Sequence, residues 1–493
     1  MQTGFSKIDL MDAVDWKATA AAEPAGPHQN GVRETKFGIA DRVVGLWRPE
    51  EGGPRRVIEP LHISMMYGED DHGPFVLAAI DHCDIEYQVL DRMRAPILAE
   101  CAIAGDRVVF MPSHCHVTLA YDTGKLQHLI ATAVRQAKSD MSETDVSAVH
   151  ADIEGKKFVI NRQIHVPGIG TRTIMFNDFC EVRDDHLDAT EQINEWLRHL
   201  GAQPEDHLAE NGRFVTHREV DDRLQALFFR DAITKKIKGS VVRFAAHAVI
   251  VSEKKVNGDI SADYPGYLKK RIENQVGGIS LFGQGLSGDL RPLNTEYSHA
   301  FARKYGERLA DILIAGLSET SWEPLTVMKF RSEPLLLALR KDLPAGVEHG
   351  VEQMNRIEKE YDTTDKPEQK ARLQNEFWFY YRSRDIARTL RPGCREQGFI
   401  STVQYGLRLN DSVLLMSPGE LFHETGLQMV EPAASAKPLT VGNINEYISY
   451  IPPRDKIEQG GYEPSVCIVM PGSAEIMVNA AHKLMNKLFP TEA

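Results

Sequence analysis

Short apolar runs alternate with polar segments of helical spacing along this chain, a pattern that predicts strands and helices taking turns in an α/β fold. Phe75-Val76-Leu77-Ala78-Ala79-Ile80 reads as a buried strand ending in Asp81-His82-Cys83-Asp84. From Lys125 to Lys138 the period is helical, with Leu126, Leu129, Ile130 and Ala133 on one face. Between about 296 and 392 helical spacing dominates, over Tyr297 to Leu317 and Glu348 to Leu390, which predicts a helical layer over the sheet. A last helix is expected from Ala474 to Leu488, with Gly472-Ser473 supplying its N-cap. Residues 12–35 are rich in Ala, Pro, Gly and charge, which places a lead-in segment over 1–36 before a single domain over 37–493. That domain should be large and layered, with central β-sheets flanked by helices.

Four of the apolar runs end on residues that can hold a metal. Arg107 to Pro112 leads into Ser113-His114-Cys115-His116, and Val241 to Ala246 leads into His247. Ser412 to Met416 leads into Ser417-Pro418-Gly419-Glu420, and Leu439 to Val441 leads into a loop carrying Tyr447 and Tyr450. As strands of one open sheet, these runs would bring their C-terminal ends together, at the edge where such sheets bind ligands. Two His, a Glu and a Tyr meeting there form an N/O donor set suited to zinc. Each residue also has an ordinary role. Glu420 would serve equally as a first-turn carboxylate of a helix over Leu421 to Met429, and His247 as a core ring with both nitrogens satisfied. Tyr447 and Tyr450 would serve as packed aromatics.

Composition narrows the function classes. The 493 residues are 42% hydrophobic and 26% charged, with a formal net charge of −13. That balance argues against nucleic acid or an anionic membrane as the main partner, since both need a concentrated basic surface. The N-terminus has no secretory h-region, and no stretch approaches the roughly eighteen apolar residues of a membrane span. Six scattered cysteines without a C-x-x-C pair suit a reducing, cytoplasmic setting. A small-molecule substrate is expected, and self-association into a homo-oligomer is left open.

Taken in order, several segments resemble the neutral/alkaline (non-lysosomal) ceramidase family of zinc-dependent amidases, over roughly Phe37 to the C-terminus. They are Ser113-His114-Cys115-His116, where the family has Ser-His-Thr-His, then Asn161-Arg162, Phe244-Ala245-Ala246-His247 and Ile260 to Leu268. Gly285-Leu286-Ser287-Gly288-Asp289, Ser417-Pro418-Gly419-Glu420, Asn445-x-Tyr447-x-x-Tyr450 and Gly460-Gly461-Tyr462-Glu463 complete the set. The resemblance implies one zinc per chain held by His114, His247, Glu420 and Tyr450, with Tyr447 the weaker choice for the last. It implies His116 beside the metal, hydrogen-bonding near its water, and Arg162 facing the cleft to bind a substrate carboxylate or carbonyl oxygen. On chemical grounds a protonated His116 could then donate to the leaving amine, and a tyrosine hydroxyl such as that of Tyr450 could help Arg162 stabilise the oxyanion. The implied reaction is hydrolysis of an amide, N-acyl or cyclic, in a small or amphiphilic substrate. Ester or lactone cleavage, true ceramide hydrolysis and a non-catalytic binding role are the alternatives. Two departures favour a substrate smaller than ceramide. The Ser-Asn stretch that contacts the ceramide head group in typical members reads Gln284 to Ser287 here, and the chain leaves no room for a C-terminal β-sandwich.

Overall fold

The structure, a computed structural model, describes residues 1–16, 56–117, 119–153, 158–167, 170–173, 181–183, 186–188, 194, 197–198, 202–207, 219–251, 259–293, 296–431 and 437–490. A large mixed sheet runs in the order Ile279–Gln284, Ile237–Phe244, Arg223–Asp231, Ser142–Asp152, Gln2–Asp9, His62–Asp70, Gly73–Ile80 and Val108–Pro112. It bends where Gln2–Asp9 meets Ser142–Asp152, a junction of only Gln2↔Glu143 and Thr3↔Ser142. A smaller sheet of Met328–Ala338, Phe399–Leu409, Ser412–Met416 and Lys437–Val441 faces it. Three β-walls therefore enclose one apolar core. Phe5, Leu77 and Met111 come from one arm of the large sheet, Phe229, Val241 and Leu281 from the other, and Tyr405, Met416 and Val441 from the small sheet. Burying large apolar side chains at about 25 cal/mol per Å² makes this shared core the main force holding the walls together.

Helices cover the outer faces. Tyr87–Cys101 and Thr123–Ser139 pack on one arm, Asp263–Val276 and His299–Glu319 on the other, and Ser473–Leu488 on the small sheet. The expected α/β fold, with central sheets flanked by helices, is the fold observed.

Four local expectations change. The ligand-bearing runs are strands, but of two facing sheets rather than one. The lead-in expected over 1–36 begins instead as an interior strand, Gln2–Asp9. Its polar residues hid it, because Thr3 and Ser6 are buried and bonded, the Thr3 hydroxyl to that of Thr144 (2.9 Å) and Ser6 Oγ to the Ala133 carbonyl (2.7 Å). Residues 17–36 lie outside the described residues. The helical layer is split by the edge strand Met328–Ala338, and its helices Val347–Thr363 and Pro367–Thr389 pack with Ile160, Ile164 and Val166. In the last helix Ser473 is the first helical residue rather than the cap, and Gly472 takes the N-cap position with φ 103°.

Three βαβ crossovers position the site. Gly73–Ile80 passes through Tyr87–Cys101 to the parallel strand Val108–Pro112, and Ile237–Phe244 passes through Asp263–Val276 to Ile279–Gln284. Ser412–Met416 passes through His423–Val430 to Lys437–Val441. The carboxyl ends of these strands face one another, which gathers the loops that follow them. No helix among the described residues is long and apolar enough to cross a membrane.

Candidate metal centre

Each crossover delivers part of one buried cluster. His114 follows Val108–Pro112, His247 follows Ile237–Phe244, Glu420 follows Ser412–Met416, and Tyr447 and Tyr450 follow Lys437–Val441. The turns are tight. His114 (φ 62°), Asn443 (φ 53°), Asn445 (φ 57°) and Ser449 (φ 69°) all adopt left-handed backbone, which is costly for His and Ser and persists only where surrounding structure imposes it. The tyrosine loop is pinned at several points. Asn445 exchanges bonds with the Phe110 backbone, its N–H to Phe110 O (2.8 Å) and Phe110 N–H to its Oδ1 (2.9 Å), and Tyr447 N–H reaches Ile85 O (2.8 Å). Glu420 is not in a helix. It forms a two-residue parallel bridge with Tyr450, so the expected first-turn role falls away, and the helix starts at His423. Gly288 packs its backbone directly against Glu420, since a Cβ there would stand 2.8 Å from the Glu420 carbonyl oxygen.

Glu420 Oε2 lies 3.1 Å from His114 Nε2 and 3.0 Å from His247 Nε2. The Tyr450 hydroxyl is 3.2 Å from the same His247 nitrogen, and the Tyr447 hydroxyl donates to the other Glu420 oxygen at 3.0 Å. His114, His247 and Glu420 are buried, and their ligating atoms all lie within 4.8 Å of one another, close enough to share a metal ion.

The donor set fits a cation because its protons are already committed elsewhere. His247 Nδ1 lies 2.9 Å from the Leu290 carbonyl, and His114 Nδ1 lies 2.8 Å from the Cys83 carbonyl. Each Nδ1–H therefore donates to main chain, leaving a lone pair on each Nε2 against a carboxylate oxygen. A proton can relieve one such contact. Burial works against charge on His114, but Glu420 and the Cys83 carbonyl prevail and raise its pKa. His247 is pushed down to about 4 by burial and Arg162, so it stays neutral and its contact with Glu420 remains acceptor against acceptor. Burial disfavours the Glu420 charge too, yet the two histidines hold its pKa well below the usual carboxylate range. A divalent cation bound to both Nε2 atoms and the carboxylate would satisfy all three groups at once, and two N with two O donors suit zinc.

The remaining residues of interest surround this cluster. His116 is half-buried with Nδ1 3.0 Å from the His114 carbonyl; burial, His114 and His247 push it down to about 3. Arg162 is 4% exposed and is not a free cleft cation, since its Nη1 donates to the fully buried Glu463 at 2.8 Å. Its Nε has no hydrogen-bond partner among the described residues. Gln284 and Ser287 do not offer a head-group surface: they are 2% and 4% exposed, and Gln284 Nε2 bonds the Ala246 carbonyl and Ser287 Oγ, both at 2.8 Å.

Several contributors were not singled out from the sequence. Asn443 donates to the Cys83 carbonyl that orients His114 (3.2 Å). The Asp289-Leu290 segment is a hub: its carbonyls take the Arg162 N–H (2.8 Å) and the His247 ring, and its carboxylate takes His423 and Gln163. The Gly285-Leu286-Ser287-Gly288-Asp289 motif was the available signal for that hub.

Comparison with solved structures gives the fold its place. Over its whole length, the chain superposes on the neutral ceramidase from Pseudomonas aeruginosa with a TM-score of 0.59 and 14% identity, matching 75% of that chain. The chain has the neutral ceramidase fold. A second structure, a ceramidase complexed with C2, matches with a TM-score of 0.60 and 15% identity, covering all of this chain and 76% of the other. No family model and no curated protein matches the sequence.

Proposed function

We propose that this ceramidase-fold chain is a zinc-dependent hydrolase that cleaves the amide bond of a small or amphiphilic N-acyl or cyclic amide. The observation that carries the reading is the pair of histidine Nε2 atoms, each with its ring proton committed to main chain, aimed at Glu420 Oε2 from 3.0 and 3.1 Å. His114, His247 and Glu420 would hold the ion, with the Tyr450 hydroxyl as the fourth donor. Zinc bound there supplies a Lewis acid that makes water acidic and polarises a carbonyl.

The chain's own residues do the rest. His116 donates its Nδ1–H to the His114 carbonyl, so Nε2 is its free acceptor. Neutral at rest, it accepts a hydrogen bond at Nε2 from the attacking water and orients it. A proton that reaches this ring as the water is consumed passes on readily to the leaving amine, since burial and its two histidine neighbours disfavour the charged ring. Arg162, locked in direction by Glu463, keeps positive charge in a buried setting, where a developing oxyanion gains most from it. Burial and the Glu420 charge keep the Tyr447 phenol protonated, so it acts as a neutral hydrogen-bond donor, the role it already has towards Glu420.

Metal analysis of the purified protein should find about one zinc per chain. A strong chelator should remove turnover on a panel of N-acyl and cyclic amides, ceramide included, and added zinc should restore it. Metal-free protein with full amide turnover would end this reading.

A further inference from the structure

We infer a second, softer cation site beside the first, formed by the Cys83 thiol and the His116 ring and filled when zinc or cadmium is in excess. The loop Asp81-His82-Cys83-Asp84 is laid along the His114 turn by backbone bonds. Ser113 N–H reaches Ile80 O and His114 N–H reaches His82 O, both at 2.9 Å. That register carries Cys83 Sγ to 4.0 Å from His114 Nδ1, and ligating atoms of Cys83, His114 and His116 lie within 4.8 Å of one another. Cys101, Cys115, Cys394 and Cys467 are buried, whereas Cys83 is half-exposed, as is His116. Asp84 adds a carboxylate that interacts with His82 and His114.

His114 Nδ1 is committed to the Cys83 carbonyl, so the protein donors are Cys83 Sγ and the His116 ring, whose lone pair is on Nε2 because Nδ1 donates to the His114 carbonyl, with water completing the shell. A thiolate–imidazole pair favours zinc and cadmium over magnesium or calcium. Two protein donors bind less tightly than four, so this site fills after the first. Binding breaks the Cys83 S–H bond, releases that proton to solvent and forms a sulfur–metal bond. The cation also occupies His116 Nε2, so it inhibits turnover; this last step rests on the role proposed above for His116.

The test is a cadmium titration of the zinc-loaded protein. Wild type should take up one further equivalent with thiolate-to-cadmium charge-transfer absorption. Cys83→Ser and Cys83→Ala should take up none while their circular dichroism is unchanged. The first centre has no thiolate, so exchange of its zinc gives no such band. Cys180 lies outside the described residues, and Cys180→Ser should retain the band. In assays, Cys83→Ser should need about tenfold more zinc than wild type for equal inhibition. A band missing from wild type, or kept by Cys83→Ser, overturns the site. A band lost in Cys83→Ser without any inhibition of wild type by zinc upholds the site and removes His116 Nε2 from proton transfer.

Discussion

Glu420 and Asp289 are both buried carboxylates facing histidine, and both have pKa values held below the ordinary range, yet their surroundings ask for different things. Asp289 Oδ2 receives the Nδ1–H of His423 at 2.7 Å and the Gln163 amide at 3.0 Å, and Oδ1 receives the His423 backbone N–H at 2.9 Å. Every contact there is donor to acceptor, and no ion is needed. Against Glu420 Oε2 His247 brings a lone pair, because the Leu290 carbonyl has taken its proton, and His114 can meet the same oxygen as a donor only by taking up a second proton. Both places set a carboxylate against histidine; what differs is whether the facing ring nitrogen carries a proton, and for His247 main chain on the far side of the ring decides it. A metal centre is thus marked by donors spent elsewhere.

The strongest way to break the comparison is to remove donors. Glu420→Ala and His247→Ala should each lose zinc and lower kcat/KM by about 10³-fold or more, whereas Asp289→Asn should keep zinc near one per chain. Equal zinc loss in all three would erase the distinction.

Arg162→Ala should keep zinc and lower turnover by about 10²–10³-fold. It also strands Glu463, so unfolding in denaturant should show a loss of about 3–5 kcal/mol. Combining it with Glu463→Gln should recover much of that stability but not the turnover. Near-normal kinetics in Arg162→Ala would remove it from the catalytic set.

The smallest expected effect sharpens the closed pair. Asp289→Asn should cost about 1–3 kcal/mol of stability. Against the cost of burial, His423 lowers the Asp289 pKa, so that share of stability is present above about pH 3.9, the unfolded value, and is lost as pH falls through the lower folded value. Asp289 likewise outweighs burial to raise His423, whose share is complete below about pH 6.5 and is lost as pH rises through the higher folded value. The stability gap between wild type and Asp289→Asn should therefore be widest between about pH 4 and 6.5. A gap that does not vary with pH would mean that the pair is not ionised.

Much of this was legible in the local pattern. The runs before His114, His247, Glu420 and the tyrosines are strands, and their carboxyl ends do meet. Period and composition carry that information because it is local. What was hidden depends on partners far away in sequence. Glu463 lies 301 residues from Arg162, and nothing near either one announces the pair. Division of the strands between two sheets was equally invisible, since both sheets draw on the same apolar core residues. Main-chain carbonyls have no side-chain signature, so the tautomers of His114 and His247 could not be read from residue letters.

Delivery of the donors by three separate crossovers has a consequence for how the molecule is made. His247 and Glu420 are 173 residues apart, and His114 belongs to yet another unit upstream. Contacts of such long range form late, after chain closure has been won by apolar collapse. A nascent chain emerging N-terminus first has one ring to offer, then two, and gains its carboxylate and phenol later still. A cation held by these groups would not seed the fold as zinc seeds a small finger; it would close a latch on donors already brought together.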